Sequence, residues 1–127
     1  IEVAVYDACF MHRTDEIIKT IHSYVTQLAQ AYEDNISAEE FNQLLEDEDI
    51  YVGKNCGNKV FYKLMQTIVL LRRESAIHIC ESSYNRKTSV EKRQAVALAF
   101  ESGDHKQFKS TINSFFDKSV KDFTFKK

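Results

Sequence analysis

Three cysteines and four histidines are the residues of this chain best suited to metal binding or nucleophilic chemistry, and their spacing supports neither. Cys9 and His12 form C-x-x-H, His78 and Cys80 form H-x-C, and Cys56 stands alone between them. A structural zinc site wants paired ligands such as C-x-x-C, and two residues two apart on a helix point to different faces. Cys56 lies between Lys54 and Lys59 beside a helix start, a setting that lowers a thiol pKa, yet no histidine base can be placed next to it. Arg73 and His78 have the types needed to hold a phosphate and move a proton, but a pair five apart recurs readily by chance. An exposed arginine and a partly buried histidine on one helix is the plainer reading. The glycines at 53 and 57 do not have Walker spacing, and no Ser or Thr follows Lys59. The chain is therefore expected to have no catalytic residue, no metal and no cofactor.

The elements that position these side chains must be helices. The 127 residues include no proline, no tryptophan and only three glycines, too little punctuation for a β-rich fold. One domain spanning 1–127 is expected, of a size to bury about two thirds of its unfolded surface. No apolar run reaches membrane-spanning length, so no membrane insertion is expected. The chain begins at Ile1 without a signal-peptide pattern, a start expected of a trimmed domain or of a secreted protein whose leader has been removed. Charge is divided unevenly. Residues 1–52 carry twelve acids against two bases, a net −10, whereas 53–127 carry fifteen bases against seven acids, a net +8. Either the halves form a dipole that steers a charged partner or a second copy, or they pack together and neutralise each other. The acidic half would repel a nucleic acid.

Residues 1–12 alternate like a strand through Ile1, Val3 and Val5, and fit a helix equally well through Ile1, Ala4, Val5, Ala8 and Cys9. Thr14 and Asp15 start a helix over 15–33 with an apolar stripe from Ile17 to Tyr32. Ser37 and Glu40 form a capping box for a short helix over 38–46, followed by an acidic loop over 46–58. Asn58 caps the next helix, whose run Ile68–Leu71 is apolar all round and predicts a place at the centre of the bundle. It breaks near Arg72-Arg73 or runs to about Cys80. Residues 82–88 read as a polar loop, with Thr88 and Glu91 capping a helix that ends at Gly103. Asp104 starts the last helix, with Phe108, Ile112, Phe115 and Phe116 inward and Phe123 and Phe125 extending it into a basic tail.

Cys9 followed by Asp15-Glu16-Ile17-Ile18-Lys19-Thr20 resembles the start of helix A in short-chain four-helix-bundle cytokines of the interleukin-4 and interleukin-13 kind. Ile36–Phe41 is similar to the short AB-loop segment of that family, Cys56 precedes a long helix as a family cysteine does, and Gln107–Phe116 is similar to helix D. The resemblance implies an all-α, up-up-down-down four-helix bundle, secreted and binding receptor ectodomains. It makes Glu16 a receptor anchor paired with an arginine of a later helix, a place we assign to Arg93; read from the residues alone, Glu16 is a first-turn acid favoured by the helix dipole. In an up-up bundle the starts of the first two long helices share one end, so any intramolecular disulfide is expected between Cys9 and Cys56, with Cys80 free or bonded to another chain. Asn35-Ile36-Ser37 is a glycosylation sequon, in keeping with an extracellular protein.

Two other classes stay open. One is a cytoplasmic helical adaptor or viral antagonist that offers a groove to a partner helix. The other is a small RNA-binding or RNA-cleaving domain, because Arg73 and His78 match the loose R-x4-H pattern of HEPN-type ribonucleases.

Overall fold

The structure, a computed structural model, describes residues 1–122, with side chains described through residue 116. Phe123 and Phe125 of the expected basic tail lie outside the described residues. Those described form six α-helices: α1 Glu2–Met11, α2 Asp15–Glu33, α3 Ala38–Lys54, α4 Lys59–Ile79, α5 Ser83–Ser102 and α6 His105–Asp122. Links of two to four residues join them. An up-up-down-down order needs two long crossovers. Four residues reach about 14 Å, half of the roughly 28 Å length of α2. The all-α expectation therefore holds, with six helices on short turns where four on long loops were expected.

Side-chain caps set most of the boundaries. The Thr14 hydroxyl accepts from the Ile17 amide, Ser37 from Glu40, and the Asn58 side chain from both Val60 and Phe61. Asp104 accepts from the Gln107 amide at the start of α6, and Gly103 ends α5 in the left-handed conformation. The Thr88 cap is corrected: α5 begins five residues earlier, under Ser82, whose hydroxyl accepts from Asn85. Residues 1–12 resolve as helix, because Val5, Tyr6, Cys9 and Phe10 share one face that is entirely buried.

Packing makes a ring of five helices with the sixth outside it. Around the ring, α1 packs on α6, α6 on α5, α5 on α2, α2 on α3, and α3 on α1. α4 lies outside, against α3 and α1. Inside the ring, Phe10 stacks on Phe108 with centroids 4.4 Å apart, and Phe108 meets Phe100 edge-on at 4.8 Å. Ile21, Val52 and Ile112 complete this core. A smaller cluster of Leu28, Ala31, Phe41, Cys80 and Val90 fills the far end. There the buried Arg86 donates to the carbonyls of Cys80 (2.5 Å) and Ile36 (2.7 Å), tying the α4–α5 turn to the α2–α3 turn. Two glycines permit close approach. A Cβ on Gly53 would lie 3.2 Å from that of Met65, so its absence lets α4 seat on α3. Gly57, at φ +76, carries the α3–α4 turn over His12, whose ring would stand 2.7 Å from a Cβ.

Two further corrections concern charge and position. The acidic run 46–49 is not a loop: it lies inside α3, and Glu46, Glu48 and Asp49 are buried. Nor is α4 central. Only Met65 and Val69 are buried along its 21 residues, while Leu71 is 80% exposed and Val60 66%. Of the two charge arrangements, the packed one is found. Arg73 pairs with Glu46, Arg93 with Asp49, and Arg72 with Glu2, each joining the basic half to the acidic half.

Candidate functional site

Because α4 meets the ring mainly through α3 and α1, with Asn85 of α5 donating to the Ile79 carbonyl at its end, its remaining inner flank faces α5 and α6 across a gap. The gap is a groove of about 380 Å³. Leu45 of α3, Val69, Ala76 and Ile79 of α4, and Phe115 and Phe116 of α6 make its apolar walls. Arg72 and Lys92 line it as well, with Lys92 5.8 Å from the Phe115 ring centroid. Among its polar lining residues, with Asn42 and Glu46, are the buried Asp49 and Arg93.

Those two residues anchor a buried network. Tyr6 donates to Asp49 Oδ1 at 2.5 Å, and Arg93 Nη1 and Nη2 donate to Asp49 Oδ1 and Oδ2 at 2.9 and 3.4 Å. Arg93 Nη1 also lies 3.3 Å from the Tyr6 oxygen and 3.6 Å from Glu48 Oε1. Two acids thus share one cation. Asp49 takes the fork of hydrogen bonds that makes an arginine–carboxylate pair strong, while Glu48 Oε2 is buried without a hydrogen-bond partner among the described residues. Burial pushes the Glu48 carboxyl up to about 7, and the neighbouring Asp49 adds to this against the pull of Arg93. Tyr6 is raised well above its ordinary value, first by burial and then by Asp49. Burial works against the Arg93 charge, but Asp49, Tyr6 and Glu48 together outweigh it and hold the guanidinium above its usual range. The network is a fixed polar floor beneath an apolar groove.

The residues singled out by sequence fall elsewhere or take other roles. Glu16 is exposed in the first turn of α2, where an acid complements the helix dipole. Arg93 is not its surface neighbour, because it is buried on Asp49. Its position on α5 repeats the spacing of Val90, Val96 and Phe100, which turns it into the core. The expected Cys9–Cys56 disulfide is corrected as well, since all three cysteines are free and buried. Cys9 sits within α1 and faces the core, where burial and the neighbouring Cys56 raise its thiol to about 12. Burial raises Cys80 to about 11. His78 is exposed and Cys80 buried, so the H-x-C pair diverges. Arg73 is forked onto Glu46 at 2.7 and 3.0 Å, and His78 lies beside Glu81, about 140° around the helix from Arg73. The structure does not bring that pair together. Asn35 is exposed in the α2–α3 turn at φ 51.

Sequence reasoning missed Tyr6, Glu48 and Asp49. A signal was present: α3 places Glu48 and Asp49, and α5 places Arg86 and Arg93, at the helical spacing of their own apolar stripes. Opposite charges in the core stripes of two helices mark a buried pair. The chain matches no known family model, no curated protein and no solved structure, so the groove and its floor are the ground for a functional reading.

Proposed function

We propose that this domain is a protein-binding module that takes an amphipathic helix of a partner protein into the groove between α4 and the α5–α6 edge of the ring. The observation that carries the reading is the groove itself: an apolar trough with a rigid polar floor and cations along its length. Helix-in-groove recognition seats apolar side chains spaced three and four residues apart, and acidic residues flanking them complement Arg72 and Lys92. The three buried, unbridged thiols suit a reducing compartment. With the short links, they favour a cytoplasmic adaptor or antagonist over a secreted ligand.

The test is selection of helical peptides from a displayed library against the full chain. Selected peptides should share two or three apolar anchors and an acid. They should lose binding at least tenfold to Ala76→Trp, which fills the groove, while circular dichroism stays unchanged. Peptides that bind Ala76→Trp as well as the parent would end the reading. A secreted cytokine is the second reading, supported by the exposure of Glu16 and the Glu16–Thr20 resemblance. It requires Glu16→Ala to weaken receptor binding about tenfold with little change in thermal stability.

A further inference from the structure

The outer face of α4, beside the groove but separate from it, carries an apolar stripe that the ring does not cover. Val60, Leu64, Ile68 and Leu71 recur at four, four and three residues, so they stand one above another on one face. Val60 and Leu71 are largely exposed, and Leu64 and Ile68 half-buried. Scattered surface leucines need no explanation, but a three-turn stripe does. The charges beside it say what covers it. Lys63 and Glu74 are eleven residues apart, about three turns, and therefore share one flank of the stripe. Both are exposed, and neither has an ion-pair partner among the described residues.

We infer that α4 pairs with α4 of a second copy of this chain, antiparallel, about a two-fold axis beside Thr67 and Ile68. That axis sets Leu64 opposite Leu71 of the partner subunit and Ile68 near the axis itself. It also brings Lys63 beside Glu74 of the partner subunit, and by symmetry does so twice. A parallel pair would turn this flank toward the opposite flank of the partner subunit's helix and leave Lys63 and Glu74 apart. The sequence of α4 thus matches itself in one direction only. The contact rests on a stripe the groove does not use and does not depend on the helix-binding reading. A single helix pair lies at the low end of interface size, below about 1,200 Å², so the dimer is reversible with concentration.

Sedimentation velocity of the full chain, from micromolar to submillimolar concentration, tests the pairing. The expected result is a monomer–dimer equilibrium. Leu71→Lys should raise its Kd at least about tenfold with an unchanged helical spectrum, because two leucines lose their cover. Lys63→Glu should weaken the dimer several-fold, and adding Glu74→Lys should restore it by exchanging the two partners. Ala76→Trp, in the groove, should leave the dimer as it is. A monomer across the whole range, a dimer indifferent to Leu71→Lys, or a charge swap that restores nothing would overturn the proposal.

Discussion

α1 and α4 contrast in nearly every respect. α1 is ten residues long, has no side-chain cap, and places Val5, Tyr6, Cys9 and Phe10 out of water entirely. α4 is the longest helix, is capped twice by Asn58, contains the most apolar run in the chain, and buries only Met65 and Val69. Length, capping and apolar content make α4 the better helix in isolation. Neighbours decide burial: α1 is flanked by α3, α4 and α6, and α4 mainly by α3 and less by α1. Where a strong helix leaves its hydrophobes in water, the unspent surface is available for binding.

The contrast can be broken by truncating each helix in turn. Phe10→Ala should cost about 3–5 kcal/mol in urea unfolding, because removing the ring that packs on Phe108 and Phe100 leaves a cavity the surrounding helices cannot close. Leu71→Ala, measured at a concentration where the chain is monomeric, should cost less than about 0.5 kcal/mol. Similar costs at the two positions would reverse the assignment of core and surface.

The charges beside the two helices sharpen it. Arg93→Met removes the cation that Glu48 and Asp49 of the ring share, and should cost about 3–5 kcal/mol, since it leaves two buried acids uncompensated. Arg72→Met, at a half-exposed pair on α4, should cost less than about 1 kcal/mol.

Glu48 gives a smaller and pH-dependent effect. Its carboxyl titrates near 7 in the folded chain and near 4.5 when unfolded, so between those values the folded state holds more protons. Stability therefore falls as pH rises from about 4.5 to about 7, and the penalty is complete above that. Glu48→Gln should flatten that slope and make the protein more stable than the parent at pH 8, on the order of 2–3 kcal/mol. A parent that gains stability relative to Glu48→Gln over this window would show that Glu48 is held as a compensated carboxylate. Gly57→Ala should cost about 1–2 kcal/mol, from the left-handed backbone and the His12 ring above it.

Much of the helix map was legible. Thr14, Ser37, Asn58, Gly103 and Asp104 announce their boundaries chemically, and the stripe from Ile17 to Leu28 has one reading only. The acidic run of α3 was not legible in the same way. Four consecutive acids resemble a solvated loop unless the bases that bury them are known, and Arg73 and Arg93 lie 27 and 44 residues away from Glu46 and Asp49. The exposed side of α4 was hidden for the complementary reason. An all-round apolar run is what a central helix shows, and only the tertiary arrangement says that one side of it was left open. The groove needed both pieces, because its floor comes from the hidden acids and its wall from the displaced helix.

The three cysteines have a practical consequence. Each is sealed by a different element: Cys9 within α1 and Cys56 in the α3–α4 turn share the main core, and Cys80 in the α4–α5 turn lies in the smaller cluster. A thiol shut away from solvent does not react with disulfide reagents or alkylators. Modification must then wait for the surrounding helices to part, and its rate at each position measures the opening of that region under native conditions. Without any engineered label, the chain carries three internal clocks. If the α4–α5 corner opens while the ring stays shut, Cys80 will be tagged first and Cys9 last.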